Sequence, residues 1–258
     1  MQHAKIIEHI TDWLESYAVN SNQKGYIIGI SGGIDSALTS TLCAMSKLDV
    51  QVVSLPLRQR KDEYNRASKH IEGLCEKYTN VTSLDIDLTA TFSQLEASLP
   101  KETVANKLAM ANTRSRLRMT TLYALGQASG LLVAGTGNKI EDFGVGFFTK
   151  YGDGGVDVSP IADLTKTQVR ELAKHLGIIT EILDAAPTDG LWDEDRTDEI
   201  QMGASYPELE WAMDYQGDET LLNKREKEVL SIYKRLNKIN QNKMVPIPVC
   251  TIPKELIY

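Results

Sequence analysis

Residues 26–36 read Tyr26-Ile27-Ile28-Gly29-Ile30-Ser31-Gly32-Gly33-Ile34-Asp35-Ser36. The run from Tyr26 to Ile30 is short and apolar, the signature of a buried strand. Ser31, Gly32 and Gly33 break it, and Ala37 to Ser46 reads as a helix. In a parallel sheet such a strand–turn–helix places its turn at the carboxyl end of the strand, where ligands bind. Gly32 and Gly33 let backbone approach an anion closely, Ser31 and Ser36 offer hydroxyl donors, and the helix start adds free N–H groups and a positive dipole end. Gly29 through Ser36 therefore reads as a pyrophosphate cradle. It lacks the spacing and the lysine of a Walker A loop. A carboxylate at Asp35 would repel bound phosphates unless a divalent cation stood between them, so Asp35 predicts Mg²⁺.

Outward from this octet the alternation of strand and helix continues. Ile6, Ile10, Trp13, Leu14 and Tyr17 recur at helical spacing before it. After it come a strand over Val50–Leu55, a helix over Asp62–Tyr78, a strand over Thr82–Leu88 and a long helix over Glu102–Gln127. A fourth strand follows at Leu131–Ala134, then helices over Thr167–Leu176 and Thr220–Asn240. This order predicts an α/β fold, a parallel twisted sheet with helices on both faces. With no repeat and no clear linker, one domain over 1–258 is expected. The tail carries Pro246, Pro248 and Pro253 and should be extended.

The composition is that of a globular protein: 258 residues, 42% hydrophobic and 24% charged, with net charge −7. That acidity argues against a general nucleic-acid binder. Three cysteines without a CxxC argue against a disulfide framework or zinc site. Cys43 and Cys75 fall in helices and read as small buried hydrophobes. No apolar run is long enough to cross a bilayer, and a cytoplasmic protein is expected. His3, His9, His70 and His175 fit no triad or metal spacing. Residues 189–199 hold six acidic side chains, one arginine and Trp192. Such a polar stretch reads as a loop, and the indole suggests a lid that closes over ligand.

The octet resembles the loop of the N-type ATP pyrophosphatases, which cleave ATP to AMP and pyrophosphate. Gly135-Thr136-Gly137-Asn138-Lys139-Ile140-Glu141, then the run from Gly146-Phe147-Phe148-Thr149-Lys150-Tyr151-Gly152-Asp153-Gly154-Gly155 to Asp157, then Leu164-Thr165-Lys166, narrow this to a resemblance to ammonia-dependent NAD synthetases. The resemblance implies the adenine-nucleotide α-hydrolase-like, Rossmann-like fold, and amidation of deamido-NAD to NAD through an acyl-adenylate. It implies Mg²⁺ on Asp35 and Glu141, and ATP on Gly29, Ile30, Ser31, Gly32, Gly33, Ile34, Asp35, Ser36, Thr136, Lys166 and Thr188. Deamido-NAD would meet Arg116, Lys150, Asp157, Asn242 and Lys243, at a site shared between the subunits of a homodimer. No covalent nucleophile is implied. The family's usual His-Lys-Arg run near the C-terminus is Asn242-Lys243-Met244 here. The length leaves no room for an amidase domain, so free ammonia is the expected nitrogen source, with no nucleic acid and no membrane as partner.

Overall fold

The computed structural model describes residues 1–188 and 197–257. Residues 189–196, which include Trp192 and most of the expected lid, lie outside the described residues. Helix α1 (His3–Asn20) leads into β1 (Gly25–Gly29), α2 (Ile34–Met45), β2 (Asp49–Ser54), α3 (Lys61–Lys77) and β3 (Val81–Asp85). Next come α4 (Thr89–Ser98), α5 (Lys101–Val104), α6 (Lys107–Ser129) and β4 (Leu131–Val133). A π-helix (Ile140–Val145) precedes α7 (Lys166–His175), α8 (Thr180–Leu183), α9 (Asp198–Met202), α10 (Tyr206–Asp214) and α11 (Lys224–Met244).

The sheet is parallel in the order β3-β2-β1-β4. The chain winds outward from β1 to β3, then returns to the other side of β1. The strand order therefore reverses between β1 and β4, and the crevice beyond their carboxyl ends is the ligand position of an open α/β sheet. Two buried clusters cover the two faces. Leu14, Leu38, Leu42, Val52 and Leu172 pack on one, and Ile27, Val53, Phe92, Met119 and Leu122 on the other. A third cluster, around Ile140, Tyr206, Leu209 and Val229, joins the π-helix to α9, α10 and α11.

Three expectations are corrected. The single helix over Glu102–Gln127 is two, because Asn106 caps α6 by accepting from the Ala109 N–H at 3.0 Å. A polar N-cap starts a helix afresh and ends the one before it. β3 is an edge strand, exposed from Thr82 to Asp85, so its polar residues face water rather than a covering helix. The last helix starts at Lys224, not Thr220, because Asn223 and Glu226 form a capping box there. Cys43 is buried in α2, Cys75 is half-buried and Cys250 exposed, all free. Among the described residues no helix is long and apolar enough to cross a membrane.

Candidate active site

β1 delivers the chain at Gly29 into the turn, and α2 carries it away. Gly32 has φ +85°, and a Cβ there would sit 2.5 Å from the Glu63 carbonyl oxygen, so any side chain is barred twice over. Gly33 is the N-cap of α2 in extended conformation, with no side chain capping the helix. The first amides of α2 are thus left for a ligand. Ser31 and Ser36 hold the turn: their hydroxyls lie 3.0 Å apart, and the Gly33 N–H donates to Ser31 Oγ at 3.1 Å. From outside, Gln59 donates to the Ser31 carbonyl at 3.0 Å and Arg66 to the Gly32 carbonyl at 3.3 Å.

The charge centre joins three elements. Asp35 stands in the first turn of α2, Glu141 in the first turn of the π-helix after β4, and Lys166 opens α7. Lys166 Nζ donates to Asp35 Oδ2 at 2.6 Å and to Glu141 Oε1 at 3.1 Å. Only 2% of Lys166 is exposed. Asn138, fully buried, donates to Asp35 Oδ1 at 3.2 Å while its own Oδ1 accepts the Ile140 and Glu141 amides. The Tyr206 hydroxyl donates to Glu141 Oε1 at 2.5 Å, and its ring lies 4.7 Å below Lys166 Nζ. Burial alone would lower the Lys166 pKa, but Asp35 and Glu141 reverse this and hold it above its ordinary value. Asp142 is pushed up to about 8 by burial, with Glu141, Asp153 and Asp35 adding to the rise.

This donor set fits a hard divalent cation shared with phosphates. Two carboxylates from separate elements already converge on one ammonium group, a stand-in positive charge. Among the described residues no group of three or more His, Cys, Asp and Glu could hold a metal unaided. Mg²⁺ characteristically takes one or two carboxylates and completes its shell with water and substrate phosphate.

The cleft around this centre is lined by every residue from Gly29 to Ser36 and by Thr136, Glu141, Lys166 and Thr188. It is also lined by Arg118, Asp142, Phe148 and Asp153. Arg116, Lys150, Asp157, Asn242 and Lys243 lie outside that lining. Arg116 Nε donates to the Lys150 carbonyl at 3.2 Å, Lys150 Nζ to the Asn242 carbonyl at 2.7 Å, and Lys243 Nζ to the Phe148 carbonyl at 2.8 Å. Asp157 is apart from these three cations. It accepts the Val133 amide at 2.8 Å and the Tyr123 hydroxyl at 3.1 Å.

Sequence reasoning missed several site residues. Asn138 carried a signal, since Asn three positions before Glu141 is capping spacing. Asp153 sits inside the quoted glycine run and receives hydrogen bonds from the Ser115 hydroxyl at 2.6 Å and the Thr149 amide at 3.1 Å. Tyr206 carried none, because a tyrosine inside a capping-box helix reads as core. His70, outside the site, is buried 2.9 Å from Ser40 Oγ between α2 and α3.

A family model described as NAD synthase matches residues 6–245. The NH(3)-dependent NAD(+) synthetase of Carboxydothermus hydrogenoformans is 37% identical over 237 residues, 92% of this chain and 93% of that protein. Among solved structures, NMN synthetase from Francisella tularensis superposes with a TM-score of 0.87 at 30% identity, covering 98% of this chain and 100% of that one. NH3-dependent NAD synthetase from Campylobacter jejuni superposes at 0.78 and 25% identity, covering 97% and 100%.

Proposed function

The chain belongs to the NAD synthase family, and we propose that it amidates deamido-NAD with ammonia at the expense of ATP, releasing NAD, AMP and pyrophosphate. The observation that carries this reading is the meeting of Asp35 and Glu141 on Lys166 Nζ, beside an open phosphate loop at the sheet's switch point. In the first step a nicotinate carboxylate oxygen attacks the α-phosphorus of ATP, and the bond to pyrophosphate breaks. In the second, the ammonia lone pair attacks the acyl-adenylate carbonyl, AMP leaves with one of the original carboxylate oxygens, and the nitrogen loses a proton.

The work of this chain is charge management. The amides at the start of α2 and the Ser31 and Ser36 hydroxyls face the leaving pyrophosphate, and Lys166, on a flexible stem, supplies a positive charge to it. Asp35 and Glu141 would hold Mg²⁺, which would neutralise phosphate charge as a Lewis acid. Asn138 and Tyr206 fix the two carboxylates, so little reorganisation is needed as charge moves. Thr136 and Thr188 flank ATP. Arg116 and Lys150 form a cationic rim next to the cleft, suited to the phosphates of the nicotinate substrate.

The tail supports a homodimer: Ile247, Val249, Ile252 and Leu256 lie close together in one segment and are all exposed, and clustered apolar surface favours burial against a partner. Sedimentation of the purified chain tests this.

A second reading concerns the size of the substrate. The superposition on an NMN synthetase over the whole chain favours the same chemistry on the mononucleotide. One experiment tests both: purified protein with ATP, Mg²⁺, ammonium and either deamido-NAD or its mononucleotide. NAD and AMP in equal amounts support the first reading. Efficient conversion of the mononucleotide alone supports the second, and ATP turnover with neither refutes both.

A further inference from the structure

Helix α11 packs against the glycine-rich loop, with Lys243 Nζ 5.0 Å from the ring of Phe148, which lines the cleft. Along α11, Asn237, Asn240 and Lys243 are spaced three apart, so they climb one side of the helix turn by turn. Each donates to a main-chain carbonyl of the same passing segment. Asn237 Nδ2 reaches the Gly144 oxygen at 2.8 Å, Asn240 Nδ2 the Val145 oxygen at 2.8 Å, and Lys243 Nζ the Phe148 oxygen at 2.8 Å. Gly144 and Val145 are the last residues of the π-helix, and a helix end leaves its final carbonyls without partners inside the helix. The contact is reciprocal. Lys150 Nζ donates to the Asn242 carbonyl in the last turn of α11, where orphan carbonyls and the dipole favour a cation.

The fit between the two segments is close. Gly146 has φ +65°, and a Cβ on it would lie 2.5 Å from Asn240 Cβ, so helix and loop touch where only glycine serves. The segment so held runs from Glu141 to Asp153 and puts Glu141, Asp142, Phe147, Phe148 and Asp153 into the cleft lining. Its other side is tied to α6, where the Thr149 hydroxyl donates to Asn112 Oδ1 at 2.7 Å and Ser115 donates to Asp153.

We propose that Asn237, Asn240 and Lys243 are positioning residues: a carbonyl ladder by which α11 fixes the loop that brings Lys150 to the rim assigned above to the nicotinate substrate. The phosphate loop belongs to β1 and α2 and takes no hydrogen bond from this ladder, although Glu141, at the start of the held segment, also belongs to the charge centre beside it. The observed partner of the Lys243 ammonium is the protein's own backbone, at the Phe148 carbonyl. The functional consequence, though not the ladder itself, rests on the amidation reading above.

The test uses the full-length chain in four forms: wild type, Asn240→Asp, Lys243→Met and Lys243→Arg. Asn240→Asp keeps shape but loses the donor; Lys243→Met keeps length but loses it; Lys243→Arg retains one. Amide hydrogen exchange over residues 144–153 is read together with KM for deamido-NAD and for ATP. The ladder predicts faster exchange in Asn240→Asp and Lys243→Met. It predicts a deamido-NAD KM raised about five- to tenfold, the scale of one hydrogen bond, with a smaller rise in ATP KM through Glu141, and the losses of Lys243→Met largely absent from Lys243→Arg. A higher KM in Lys243→Met with wild-type exchange would place Lys243 directly on substrate and overturn the proposal. Wild-type exchange in both donor-lacking variants would overturn it equally. If the wild type fails to amidate deamido-NAD, the functional reading falls and the exchange arm still decides the ladder.

Discussion

Replacing Lys166 by methionine separates the two tasks of the charge centre. The ammonium lies 2.6 Å from one carboxylate oxygen and 3.1 Å from another. At an effective dielectric near 20, each contact is roughly 5–6 kcal/mol of Coulomb attraction, offset by the cost of taking the charges out of water. Removing one member of a buried ion cluster typically costs about 3–5 kcal/mol, because the remaining charges are left unpaired. The nucleotide-free Lys166→Met protein should therefore melt lower, at roughly 2–4 °C per kcal/mol for a chain of this size. Mg²⁺ should then recover much of that loss, and should stabilise the variant more than the wild type, since no lysine competes for Asp35 and Glu141. Turnover should fall by about 10²–10³, the scale of one lost transition-state stabiliser. The assay is a pair of melting curves across a Mg²⁺ titration, with initial rates on the same samples. Equal Mg²⁺ stabilisation of the two proteins would show that lysine and metal do not share these carboxylates and would refute the reasoning.

Three further outcomes are expected. Asp35→Asn should keep the fold and lose about 10²–10³ in turnover, with a higher Mg²⁺ requirement; near-normal rates at limiting Mg²⁺ would remove Asp35 from the metal site. At fixed, sub-saturating total ammonium the rate should rise from neutral to mildly alkaline pH, because only free ammonia has a lone pair; a rate set by total ammonium at every pH would contradict this. Burial lowers the His70 pKa to about 4, below its ordinary 6.5. The unfolded chain therefore binds the extra proton first, and stability present above pH 6.5 is lost as pH falls towards 4, by up to about 3 kcal/mol. Urea unfolding of wild type and His70→Gln across that window should show the loss in the first and a flatter profile in the second.

The parallel sheet, its four strands and the phosphate loop are legible in the sequence because local pattern dictates them. Short apolar runs at β1, β2 and β4 read as buried strands when glycine turns and helices alternate with them, whereas β3, polar and exposed, is placed only by that alternation. Gly32 is legible for the same reason, since its backbone conformation tolerates no other residue. The charge centre is legible in part. Asp35, Glu141 and Lys166 stand out by type, yet nothing local says that they meet, because the switch in strand order brings them together. Tyr206 and the ladder of Asn237, Asn240 and Lys243 are invisible to pattern. They act across long sequence separations, and on a helix surface asparagine and lysine look like ordinary solvated residues. The break at Asn106 was readable as a cap but was masked by continuous helical spacing on either side.

The bond of ATP that is cut distinguishes adenylation of the nicotinate carboxylate from its phosphorylation. Deamido-NAD labelled with ¹⁸O in its nicotinate carboxylate, incubated with the protein, ATP, Mg²⁺ and ammonium, should transfer one labelled oxygen to AMP, with unlabelled pyrophosphate as the other product. Label appearing in inorganic phosphate with ADP would mean attack at the γ-phosphorus, and it would contradict the adenylation that the phosphate loop, Asp35, Glu141 and Lys166 are here read to perform.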